Sequence, residues 1–478
     1  MQGAASMKAK PEPAPAMSRR KVLKYGLGGS LAAPLLPALW LSGCERRPRA
    51  KGPDVILIVI DTLRADHLGC YGYSRNTSPD IDRFAADSQL FENCFAHAPS
   101  TSASVASILS GFLPHETKVT NKTLMSKKLR TLPVMLASRG YKTAAVVSNY
   151  IFREKRGWET GFDVYDAEMK GRELNRDIPE RIAEHTTGRA VKLLKKFRKD
   201  NLFLWLHYQD PHGPYTPPAA FGELFKSTAD KPRFIRLNDT SSGRRGIPKY
   251  QELAANRDFH HYVSQFDGEI RYTDEHLKRL FEALKELGSY NDSLIIFTAD
   301  HGEGMGEHDY YFAHGEYLYN TLTHVPLIIK RPGGGAGTKK DFVQHIDIVP
   351  TILKALDIEP VPNLRGCDLA GPIPADREIF AKMETGMVKD TFKYSIMADG
   401  FKLIHTPLYD RYELYDMKKD FAEEHDLVNE TAYSKFRGEL KTRLKQLRRQ
   451  DLLKLGAVES PKLTEDELEK LKSLGYVK

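Results

Sequence analysis

The sequence predicts an α/β fold, with a mostly parallel sheet flanked by helices and a small C-terminal α+β subdomain. Val55-Ile56-Leu57-Ile58-Val59-Ile60 is a continuous apolar run without alternation, the texture of a strand covered on both faces. Four further runs look alike: Thr143 to Val147, Leu202 to Tyr208, Leu294 to Thr298 and Val325 to Lys330. Between them lie helical patterns at Leu132 to Arg139, Thr187 to Arg198 and Tyr262 to Leu287. Strands that alternate with helices build parallel sheets.

The chain begins with a segment of different character. Ser18-Arg19-Arg20-Lys21-Val22-Leu23-Lys24, followed by apolar Tyr25 to Leu41, resembles a twin-arginine export motif. The apolar run falls short of the roughly 20 residues of a membrane span and is broken by Gly26, Gly28, Gly29, Pro34 and Pro37. It ends in Leu41-Ser42-Gly43-Cys44, which resembles the lipobox of bacterial lipoproteins, whose cysteine is lipidated and becomes the mature N-terminus. These features predict an exported lipoprotein, anchored to the membrane through lipidated Cys44 and facing the periplasm or cell exterior. Residues 1–43 are then the signal and 44–53 a basic, Pro-containing tether.

At 478 residues, 41% hydrophobic and 28% charged, the remainder suits one large domain and one small one. The net charge of +8 is no sign of a nucleic-acid partner, because residues 1–43 contribute +5 of it. Beyond Cys44 only Cys70, Cys94 and Cys367 remain, too few for a disulfide scaffold. Buried thiols are expected, with a Cys70 to Cys94 bridge the one alternative.

The residues just past the strand ends point to a site. Asp61 succeeds the first run, Ser148-Asn149 the second, Asp210-Pro211-His212 the third and Asp300-His301 the fourth. Ligands of open α/β sheets bind outside the carboxyl ends of the strands, so these residues should face one cleft. Thr101, ahead of small residues and Ile108-Leu109, has the position of a helix N-cap. There, free amides and the macrodipole stabilise an anion.

Asp61, Asp300 and His301 supply two carboxylates and an imidazole, and the Thr101 oxygen would complete a four-ligand site for one divalent metal. Such an ion makes an alkoxide available near neutral pH and polarises a phosphoryl or sulfuryl oxygen. An imidazole among the ligands favours manganese or zinc, with magnesium or calcium as alternatives.

Several stretches together resemble the sulfatase family of the alkaline phosphatase superfamily. They are Asp61-Thr62-Leu63-Arg64-Ala65-Asp66, Thr101 to Gly111 with Pro114-His115, Asp210-Pro211-His212-Gly213-Pro214-Tyr215 and Thr298-Ala299-Asp300-His301-Gly302-Glu303. Gly306-Glu307-His308, His314-Gly315, Val325-Pro326-Leu327 and His345 to Thr351 continue them in the family's order. The resemblance implies an alkaline-phosphatase-like core and metal-dependent cleavage of sulfate or phosphate esters. It implies Asp61, Asp300 and His301 as metal ligands and Thr101 as nucleophile. His212 and His314 fall where the family contacts the ester or protonates the leaving group.

The departures matter as much. Sulfatases carry Cys or Ser at the nucleophile position, within Cys-x-Pro-x-Arg or its Ser counterpart, and oxidise it to the aldehyde formylglycine. Here Thr101 is followed by Ala103 and Val105, and threonine cannot give that aldehyde. Thr62 replaces a second carboxylate ligand, and Val147-Ser148-Asn149-Tyr150 replaces a Gly-Lys-Trp-His segment. The pattern resembles the threonine-dependent branch of phosphotransferases and phosphodiesterases. A threonine ester must be resolved by in-line attack of water or an acceptor hydroxyl, a course common at phosphorus. The expected reaction is therefore phosphoryl transfer on an envelope, lipid head-group or glycan ester. The alternatives are a sulfuric ester hydrolase without formylglycine and a non-catalytic metal-binding lipoprotein.

The catalytic domain is expected over 54–359, the subdomain over 360–430 and C-terminal helices over 431–478. Lys393 to Ala398, Lys402 to His405 and Tyr412 to Tyr415 are the subdomain's strand candidates. Ala219 to Ala254, polar and aperiodic after a cleft residue, is a lid candidate. Glu303, Glu307 and His308 are candidates to orient metal ligands. Near the end, Thr464 and Glu467 have capping-box spacing, Leu463 and Leu468 staple spacing, and Gly475 stops the helix.

Overall fold

The computed structural model describes residues 52–226, 231–384 and 392–450, with a few positions from 453 to 470. The export motif, Cys44, Leu463, Leu468 and Gly475 lie outside the described residues. The capping box itself is present: Glu467 N donates to Thr464 Oγ1 at 3.2 Å and Thr464 N to Glu467 Oε2 at 3.0 Å.

The first apolar run forms β1 (Val55–Ile60), buried at every position as a two-sided strand must be. It is joined by β2 (Gln89–Phe95), β3 (Lys142–Val147), β4 (Val164–Asp166), β5 (Leu202–Tyr208), β6 (Leu294–Ala299), β7 (His324–Lys330) and β8 (Gly337–Gln344). These eight strands make one sheet in the order β8-β2-β7-β6-β1-β5-β3-β4. β1 pairs in parallel with β5 and β6, so the site-bearing strand ends lie side by side at the centre. β7 runs against both of its neighbours. An apolar texture reports burial on two faces and says nothing of direction, so Val325 to Lys330 reads like its parallel neighbours. β2 and β8 escape the apolar criterion because they carry Glu92, Asn93 and Thr338 to Asp341 toward partly exposed surface.

Helices cover both faces of the sheet. α1 (Pro79–Ala86), α2 (Thr101–Ser110), α3 (Ala183–Phe197), α4 (Phe259–Glu286) and α5 (Ile348–Ala355) share one apolar core with the strands. α2 is buried along its whole length, which its run of Ala and Ser permits by letting backbones approach closely. The C-terminal sheet is antiparallel, in the order β9 (Ile379–Glu384), β10 (Phe392–Ala398), β11 (Phe401–Thr406) and β12 (Arg411–Asp416). α6 (Ser434–Arg449) packs on it through Leu440, Leu444 and Leu447, spaced as one helical stripe. Buried Lys402 on β11 pairs with Glu423 at 2.8 Å and donates to Asn320 Oδ1 at 2.9 Å, tying subdomain to core.

No helix among the described residues is long and apolar enough to cross a membrane. Cys70, Cys94 and Cys367 are free thiols, and Cys94 is buried. No Cys70 to Cys94 bridge forms.

Candidate active site

The three central strands bring the first ligand candidates together by their own ladder. Asp61 N donates to Tyr208 O at 3.0 Å, just past β1 and β5, and Asp300 N donates to Ile60 O at 3.2 Å. Each carboxylate is then tethered by one oxygen. Asp300 Oδ1 accepts from Thr62 N at 3.1 Å and His301 N at 2.8 Å, while Asp61 Oδ2 accepts from Asn149 Nδ2 at 2.7 Å. Their other oxygens, Asp61 Oδ1 and Asp300 Oδ2, are buried with no hydrogen-bond partner.

His301 is fixed in the same way. Its Nδ1 lies 3.0 Å from Gly302 O, and a carbonyl only accepts, so Nδ1 carries the proton and Nε2 presents a lone pair. Nε2 lies 3.5 Å from Asp300 Oδ2, 4.0 Å from Asp61 Oδ1 and 3.4 Å from Thr101 Oγ1. All four residues have no solvent exposure. Thr101 is the first residue of α2, and the N-cap is Ser100, so the hydroxyl points into the cleft instead of capping its own helix.

The donor set fits a divalent cation. Burial and the neighbouring Asp300 charge hold the Asp61 carboxyl well above its usual range. Two unpartnered carboxylate oxygens beside neutral imidazole nitrogen carry negative charge that a cation offsets. His207, on β5, adds a group that spacing did not single out. Ligand atoms of Asp61, His207 and Asp300 all lie within 4.8 Å of one another. Both His207 ring nitrogens are buried without a partner, and burial takes its pKa down to about 3. Its signal in the sequence is a histidine in an apolar strand, which reads equally well as core.

His212 and His314 stand across this centre. Their rings are 5.2 Å apart, and the His314 ring is 4.5 Å from that of His301. His212 Nδ1 donates to Gly213 O at 2.8 Å, leaving Nε2 free, and His314 Nδ1 meets Glu303 Oε1 at 3.2 Å. Burial lowers both imidazoles, His314 to about 4, and Arg176 adds to the effect. Arg176 is itself paired to buried Glu173 at 2.6 Å and lies in a loop where periodicity gave no hint of a site. Glu303, raised by burial to about 8, also accepts from Tyr215 Oη at 3.1 Å.

Two neighbours expected beside the centre do other things. Glu307 pairs with Arg64 at 2.8 Å, and His308 stacks on Tyr319 with ring centroids 3.6 Å apart. Asp210 turns away as well, its Oδ2 accepting from Ala183 N at the start of α3 at 2.6 Å. Two side chains of the 219–254 insertion reach the strand that precedes His314. Tyr250 Oη and Gln251 Nε2 both donate to Phe312 O, at 3.2 and 3.1 Å, beside the His314 loop.

The family model described as Sulfatase matches residues 53–358. The chain belongs to the sulfatase family. A second model, N-sulphoglucosamine sulphohydrolase C-terminal, matches residues 306–450 of this sulfatase-family chain. Among curated relatives, an N-acetylglucosamine-6-O-sulfatase of Bacteroides thetaiotaomicron is 24% identical, over 87% of this chain and 90% of the relative. A multifunctional alkaline phosphatase superfamily protein of Trinickia caryophylli is 26% identical, over 80% of this chain and 92% of the relative. The phosphonate monoester hydrolase structure of Agrobacterium radiobacter superimposes with TM-score 0.68 at 21% identity, covering 86% of this chain and 100% of that one. The expected α/β architecture with its small C-terminal sheet is that of sulfatase structures. The protein is an esterase of this superfamily, whose members bind a divalent metal.

Proposed function

We propose that this sulfatase-family enzyme is a metal-dependent phosphoryl hydrolase or transferase that uses Thr101 as its nucleophile. One observation carries the reading: Asp61 Oδ1, Asp300 Oδ2 and Thr101 Oγ1 all lie within 4.0 Å of His301 Nε2, and both carboxylates and the imidazole are each tethered through their other polar atom. Asp61, Asp300, His301 and Thr101 would hold one divalent ion, with His207 as a further donor. When bound, that ion lowers the pKa of the threonine hydroxyl and polarises an ester oxygen.

The chain's own groups account for the rest. Thr101 Oγ1 gives up its proton to solvent and forms the bond to phosphorus while the bond to the leaving oxygen breaks, and the start of α2 supports the charge. His212 or His314 delivers the proton to that oxygen. Their lowered pKa values leave both neutral at rest, so the proton is acquired only once the anionic ester is beside them. Water or an acceptor hydroxyl then releases the phosphothreonine.

A sulfuric ester hydrolase is the second reading, favoured by the names of sulfatase relatives. Thr101 opposes it, because formylglycine cannot form there. Export and lipidation at Cys44 complete the proposal and would place substrates at the envelope, on lipid head groups or glycans. The test uses soluble protein beginning after Cys44, loaded with manganese or zinc, on aryl phosphate diesters, monoesters and sulfates. Turnover of phosphate esters is expected, with a Thr101-linked adduct in quenched samples by mass spectrometry. Thr101→Ala should lower kcat by about 10³-fold or more and abolish the adduct. Turnover of sulfates alone would overturn the phosphoryl reading.

A further inference from the structure

Linked to α2 through Asn121 lies a cation with no ion-pair partner among the described residues. Arg156 is 3% exposed. Its Nη2 donates to Asn121 O at 2.9 Å and Thr123 O at 3.1 Å, but Nε and Nη1 are buried with no hydrogen-bond partner. Burial and Arg153 lower its pKa to about 10, so it remains charged at neutral pH. Glu467, the acid whose charge acts on it, is taken by Arg153 at 3.0 Å. A buried guanidinium with two idle donors is costly unless something anionic meets it.

Asn121 links this cation to the nucleophile's helix. Its Oδ1 accepts from Ser102 N at 3.3 Å, one of the first-turn amides of α2, whose Ser100 provides no side-chain cap. Ser102 Oγ is buried and also lacks a partner. A helix start, an idle hydroxyl and an idle guanidinium are therefore linked through Asn121.

We propose that Arg156, Ser102 Oγ and the first turn of α2 form an oxyanion subsite that takes a second anionic group of the substrate. The natural ester then bears two anionic groups, one that reacts at Thr101 and one that anchors it. This rests on Thr101 marking the reacting centre.

Binding tests it without turnover. Thr101→Ala protein loaded with manganese is titrated calorimetrically with alkyl phosphates and with ω-phosphonoalkyl phosphates of increasing chain length. At one optimal length the doubly anionic ligand should bind about tenfold tighter or more. Arg156→Gln should erase that advantage, Arg156→Lys should keep part of it, and Ser102→Ala should reduce it. Arg156→Gln removes an unpaired buried charge and should fold; if it does not, the Lys and Ser102 variants carry the comparison. Equal affinity for both ligand classes at every length overturns the subsite, as does an advantage that survives in Arg156→Gln or is untouched in Ser102→Ala. Ester turnover by Thr101→Ala overturns the nucleophile instead and leaves the binding comparison standing.

Discussion

Asn149 shows how much of the centre depends on side chains that touch neither ester nor ion. Its amide holds Asp61 Oδ2 while its own Oδ1 accepts from Ile151 N, so the carboxylate cannot rotate. Asn149→Ala should weaken metal affinity about 10- to 100-fold with little loss of stability, as read by calorimetric metal titration. Asp210 makes a different contribution. Burial pushes its carboxyl up to about 7, and Glu269 beside it is raised by burial and by Asp210. A raised folded-state pKa means that the stabilisation is complete below the unfolded value near 4 and is lost as pH rises through 7. The Tm should therefore fall across that window, and Asp210→Asn should flatten the fall in scanning calorimetry. That Asp61, Thr101, Asp300 and His301 would meet in space was legible because strand ends and a helix start mark them. His207 and Arg156 were not, because a histidine inside a strand and an arginine in a loop acquire meaning only from what fails to pair with them.

At the level of elements, the turn after β6 is built to close tolerance. Gly302 O fixes the proton of His301, Gly302 N donates to Leu322 O at 3.0 Å, and a Cβ at 302 would collide with the Thr321 carbonyl. Backbone cannot retract as a flexible side chain would, so Gly302→Ala should cost about 1–3 kcal/mol in urea unfolding and lower metal affinity as His301 turns. The same limit explains what the sequence conveyed about strands. Val55 to Ile60 announced burial, and burial was right. The antiparallel course of β7 depends on its pairing with β2 and β6, which leaves no trace in its own residues. β8 was missed because sheet membership at the edge does not demand an apolar face, and β2, one strand inside it, because Glu92 and Asn93 interrupt its apolar run.

At the scale of the whole molecule, a buried ion pair joins the C-terminal subdomain to the core. Lys402 and Glu423 are nearly inaccessible, so Lys402→Met strands a carboxylate and should cost about 3–5 kcal/mol in urea unfolding, while replacing both partners with apolar residues should recover most of it. The burial of Thr101 has a consequence for time as well as for shape. Thr101 has no contact with solvent, so a molecule exchanging with bulk water must wait for part of the surrounding structure to open. Each catalytic cycle then includes a breathing step, and where that step is slower than the chemistry, turnover will track the viscosity of the medium and not the leaving-group pKa.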